Sequence, residues 1–135
     1  MEHFLVGVIV DEPKLSLVEK ALATYRTNNK AKWDWCNVCQ EETTIRKYAI
    51  PSASIEDNTF IKIKDLYKGL VPSQLFWAFL IWDKWFEKGD IKKRHEFSFL
   101  TEKSIVDYEE AWNAIVKGPE IQEKYIAIVD CRIMD

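Results

Sequence analysis

Glycine is scarce in this chain, with four in 135 residues. Backbone cradles for phosphate need clustered glycine, and no Gly-x-Gly-x-x-Gly, phosphate-loop lysine motif, His-Glu-x-x-His or Gly-x-Ser-x-Gly occurs. An NTPase or dinucleotide enzyme is therefore not expected. Cysteine is also sparse: Cys36, Cys39 and Cys131 are an odd number and too few for a disulfide framework. No purely apolar run exceeds the eight residues 75–82, whereas a membrane-spanning helix needs about 20. The start, Met1-Glu2-His3-Phe4, lacks the cationic stretch of a secretory signal. A basic excess is missing too: 19 Lys and Arg stand against 22 Asp and Glu, for a net charge of −3. General nucleic-acid binding is not expected from that balance. The expectation is a reduced protein of the (host) cell cytoplasm with no membrane contact.

The composition that remains is globular, 47% hydrophobic and 30% charged, and the length suits one domain over residues 1–135. Residues 3–11 read as a strand. Its near-continuous apolar run (Phe4, Leu5, Val6, Val8, Ile9, Val10) predicts burial on both faces. Ser16 and Glu19 form a capping-box pattern, and Val18, Leu22 and Tyr25 follow at helical spacing. Ile45 to Ile50 reads as a short strand closed by Pro51. Phe60, Ile61 and Ile63, interleaved with Lys62 and Lys64, read as a half-exposed strand. Residues 75–82 carry the strongest strand signal, with Asp83-Lys84 as a turn and Trp85-Phe86 returning; residues 96–100 suggest another strand. Ile105, Tyr108, Trp112, Ile115 and Val116 predict a second helix, capped by Ser104 and closed by Gly118-Pro119. Residues 125–133 read as the last strand. This order predicts an α+β fold of ferredoxin-like βαββαβ type. It would have an antiparallel sheet, two helices on one face, and an insertion at about 30–72 after the first helix. Such domains pair through a sheet face or edge, which suggests a homodimer.

Candidate chemistry is thin. Cys36-x-x-Cys39 could hold one edge of a zinc site, but only Cys131, His3 or His95 could add soft ligands, and no second knuckle exists. Neither a metal nor a cofactor is expected, and no catalytic set is assigned. His95, in Lys92-Lys93-Arg94-His95-Glu96, has no partner at fixed spacing, so a small hydrolase built on it is a minor alternative. The outlying feature is aromatic: six Trp, five Tyr and seven Phe. Trp33, Trp35, Trp82 and Trp85 fall near strand–loop junctions, with Arg46, Lys84 and Arg94 close by in sequence. Rings that stack on a base and cations that take a phosphate suit a nucleotide-like ligand. These seven residues are the expected ligand-binding set. Filling the core is the competing use of the same tryptophans.

Lys32-Trp33-Asp34-Trp35 and the C-terminal Ile128-Val129-Asp130-Cys131-Arg132-Ile133 resemble a group of small phage and prophage proteins. That group starts with a short hydrophobic strand, carries a W-D-W motif running into G-G-R-W, and ends in a V-D-C-H-I-like strand. Residues 36–46 replace the G-G-R-W stretch here, and Arg132 stands where the group has His. The resemblance implies a mobile-element accessory factor. The expected function is a non-catalytic binding protein that counters host defence by sequestering a nucleotide-derived signal. The alternative is a protein–protein inhibitor of a host defence protein, anti-CRISPR-like or immunity-type. It would act through an acidic surface including Glu41, Glu42, Glu56 and Asp57.

Overall fold

A computed structural model describes residues 3–27, 33–70, 76–81, 84–87 and 105–133 of the chain. Among the described residues, seven strands join one mixed sheet: β1 (His3–Val10), β2 (Trp33–Val38), β3 (Ile55–Glu56), β4 (Phe60–Lys62), β5 (Ala78–Ile81), β6 (Lys84–Glu87) and β7 (Tyr125–Ile133). Its continuous path is β3-β4-β7-β1-β5-β6. The centre is β1 against β7, antiparallel from His3 opposite Arg132 to Val10 opposite Tyr125. On the other edge of β7, β4 pairs near Tyr125 and β2 pairs near its end, with a bulge between Trp35 and Asn37.

The α+β class stands, but the antiparallel ferredoxin-like sheet does not. A split βαβ unit would set another strand between β1 and β5. Here they are direct neighbours and run parallel, with Val6 opposite Ala78 and Ile9 opposite Ile81. The returning strand β6 takes the outer edge. The expected insertion is also part of the sheet, because it supplies β2, β3 and β4.

The helices lie on opposite faces, not together. Helix α1 (Leu15–Thr27) buries Val18 and Leu22 against Phe4, Val6, Val8, Leu80, Ala127 and Val129. Helix α3 (Ile105–Val116) buries Trp112 against Phe76, Phe79, Ile81, Ile126 and Ile128. The cause is visible in β1, β5 and β7, whose alternate residues feed the two cores in turn. A sheet apolar on both faces needs cover on both. With two helices on one side, Ile9, Phe79, Ile81, Ile126 and Ile128 would face water. At roughly 25 cal/mol per Å² of apolar surface, that exposure would outweigh the few kcal/mol by which a domain is stable.

Two short segments depart from their expected form. Residues 45–48 are helical: α2 (Glu42–Ile45) runs into a 3-10 turn at Arg46–Tyr48, after which Ala49 is extended and bridges Leu66. The buried residues there are Ile45 and Ala49, with three less buried residues between them, which is not strand alternation. Strand β4 is buried on both sides and not half-exposed, since Phe60 enters the α1-side core and Ile61 the other. The β3–β4 turn places Asp57 and Asn58 at φ 51° and 58°, a left-handed geometry these two residue types tolerate best after glycine. The proposed strand at 96–100 lies outside the described residues.

Candidate functional site

Beyond β4 the chain makes a 3-10 turn at Ile63–Asp65 and continues as an irregular segment to Leu70. Backbone hydrogen bonds fix it at both ends. Ile63 N donates to Lys124 O and Lys64 N to Gln122 O, which ties its start to the chain leading into β7. Tyr67 N donates to Tyr48 O, and Leu66 bridges Ala49, which ties the middle to the turn after α2. Against this wall stands one face of α3, where Trp112, Asn113 and Val116 follow at i, i+1 and i+4. Between the two walls is a partly open cleft of about 310 Å³.

The floor is apolar: Ile63, Leu66, Leu70, Trp112 and Val116. Trp112 is held edge-on to Phe79 at 5.1 Å and tilted against Phe76 at 5.8 Å, so the floor is rigid. The rim is cationic, formed by Lys64, Lys68 and Lys117. Lys64 shares the exposed carboxylate of Glu123 with Lys62, at 2.9 and 2.8 Å. Those two ammonium groups donate hydrogen bonds to Glu123 and hold its carboxyl at about 2, well below the ordinary value. The same bond to Glu123 raises Lys62. Among the described residues, Lys68 and Lys117 have no carboxylate within ion-pair distance.

Tyr67 adds an aromatic ring at the mouth, 56% exposed. It lies along the backbone of Gly69, where a Cβ would come within 2.8 Å of the ring edge. Gly69 thus lets the ring lie flat against the chain. Gln122 also lines the cleft. Its Nε2 donates to Val116 O at 2.6 Å and Gly118 O at 2.9 Å, satisfying carbonyls at the end of α3. The described lining contains no carboxylate, imidazole, thiol or aliphatic hydroxyl, so it offers charge, stacking and hydrogen bonds but no general base other than lysine.

The residues expected to form the site are placed elsewhere. Trp33 and Trp35 lie in β2, opposite Ile133 and Cys131. Lys84 and Trp85 lie in β6, opposite Ile81 and Leu80. Strands β7, β1 and β5 intervene, a span of roughly 19 Å at about 4.8 Å per strand, so the two pairs of positions do not meet on one small ligand. Arg46 is engaged in its own loop: its guanidinium donates to Ala53 O at 2.6 Å, Pro51 O at 3.4 Å and Glu42 at 3.2 Å. Trp82, Arg94 and His95 lie outside the described residues. Of the acidic set, Glu41 accepts from Thr43 and Glu42 from Arg46, while Glu56 and Asp57 occupy the exposed β3–β4 turn.

Cys39 and Cys131 pack in cores on opposite faces of the sheet, so one metal ion cannot take both. No group of three or more His, Cys, Asp or Glu among the described residues is placed to hold a metal. Cys39 instead neighbours Tyr48, whose phenol is pushed up by burial and then by the thiol's charge. His3, considered in the sequence only as a possible soft ligand, bonds Asp130 at 2.9 Å across the central strand pair.

The cleft was hard to find in the sequence. Lys64 and Lys68 repeat at four residues, but Lys117 and Gln122 join them only through the fold. No helix of the described residues is long and apolar enough to cross a membrane. Compared with protein-family models, curated proteins and solved structures, the chain matches none.

Proposed function

We propose that this chain is a non-catalytic binding protein that holds a small nucleotide-like anion in the cleft between residues 63–70 and α3. One observation carries the reading: a rigid apolar floor, an exposed Tyr67 and three lysines surround a single cavity. Its volume is at the small end of the range for ligand pockets, roughly 300–1,000 Å³, which suits a mononucleotide better than a dinucleotide or peptide. The ring would stack on Tyr67 above the Trp112 floor, and the phosphate would meet Lys68 and Lys117. The aromatic-plus-cation logic of the sequence is kept, with other residues supplying it. Likeness to small phage and prophage proteins supports a sequestering role, in which a signalling nucleotide is held away from its receptor.

Thermal melting with AMP, CMP and inorganic phosphate tests this. A ligand at a hundred times its Kd stabilises by about 2.7 kcal/mol, which reads as a Tm rise of several degrees. The rise is expected with the nucleotides, and Lys68→Ala with Lys117→Ala should abolish it while leaving the unliganded Tm within about a degree, since both side chains are exposed. A flat response to both nucleotides overturns the reading, as does an undiminished rise in the double variant.

A further inference from the structure

The cleft also shows how one ring would be told from another. The lysine rim can only donate hydrogen bonds. Asn113 is exposed, so it can turn either end of its amide to a ligand, and the hydroxyl of Tyr67 rotates to suit. Gln122 is different. Both partners of its Nε2 are backbone carbonyls, Val116 O and Gly118 O, so chemistry fixes the NH₂ end toward them and the oxygen end away. No hydrogen bond from a described residue reaches that oxygen. Gln122 lines the cavity and is half-buried. Its carboxamide oxygen is thus an acceptor turned away from those carbonyls, on a residue lining a site otherwise rich in donors.

We propose that Gln122 is the specificity-determining residue of the cleft, and that its ligand is a phosphorylated heteroaromatic ring bearing an amino group. An amino N–H satisfies the Gln122 oxygen. An oxo group at the same ring position sets two acceptors against each other and leaves both unsatisfied, which is the stronger source of discrimination. The inference rests on the cleft being the ligand site.

The test uses near-isosteric pairs in which the amino group becomes oxo and the adjacent ring nitrogen changes from acceptor to N–H donor: AMP with IMP, and CMP with UMP, each titrated calorimetrically into the full chain. The amino member is expected to bind about five- to tenfold more tightly in both pairs. In Gln122→Leu the ratio is expected to fall to about one, with the phosphate contribution intact. A role confined to capping α3 would weaken all four ligands together and leave the ratio unchanged, which overturns the inference. Ratios within twofold in the unaltered protein, or a preference for the oxo member, overturn it even if Gln122→Leu fails to fold; in that case the cleft stands as the site. Absence of binding by all four overturns the inference and the cleft reading together.

Discussion

At the scale of the residue, the most informative side chain is Glu123. It is exposed, yet two lysines hold it ionised, and one of them, Lys64, belongs to the cleft rim. Glu123 therefore competes with any anion for Lys64. Glu123→Gln should tighten nucleotide binding a few-fold, measured as Kd by calorimetry; unchanged or weaker binding would show that Lys64 takes no part. The same substitution has a pH signature. The folded carboxyl sits at about 2 against 4.5 for the unpaired group. Its favourable contribution is therefore complete above pH 4.5 and disappears as pH falls through about 2. The Tm difference between wild type and Glu123→Gln should be constant from pH 5 to 7 and shrink between pH 4.5 and 2. Screening by solvent keeps it small, as for any surface ion pair.

At the scale of the element, legibility followed the strength of periodicity. Strands β1 and β7 stood out because short, near-continuous apolar runs rich in Val and Ile suit central strands. Helix α3 stood out because Trp112, Ile115 and Val116 continue the stripe begun at Ile105, with Gly118-Pro119 behind it. Residues 45–50 read as a strand since six residues cannot separate two periods; Ile45 to Tyr48 are helical, and Ala49 alone bridges Leu66. Strand β2 was obscure because Asp34 and Asn37 are poor strand formers, and pairing with β7 imposes the extended form. Part of the aromatic excess, outside the expected ligand-binding set, serves the cores. Phe4 meets Trp77 edge-on, Phe79 stacks on Phe86, and Phe60 meets Tyr125. Helix α3 depends on one of them. Trp112→Ala removes the floor of the cleft and the main anchor of the helix, and should cost about 3–5 kcal/mol by chemical denaturation. A loss under 1 kcal/mol would mean that α3 is held by other contacts.

At the scale of the whole molecule, the sheet divides the protein into two chemically distinct sides. One face carries α1 over a core of aliphatic side chains with Phe4, Phe60 and Trp77 among them. The other carries α3 together with the segments that follow α2 and β4, which enclose the cleft. The positions first expected to bind ligand, on β2 and β6, sit near the two lateral margins of the sheet. A ligand must therefore choose between margin and cleft. Backbone amide shifts of the ¹⁵N-labelled chain, recorded while AMP is added, distinguish the two. Saturable shifts are expected at Tyr67, Lys68, Asn113 and Lys117. Shifts confined to Trp33, Trp35 and Trp85, with the cleft amides unmoved, would contradict the assignment.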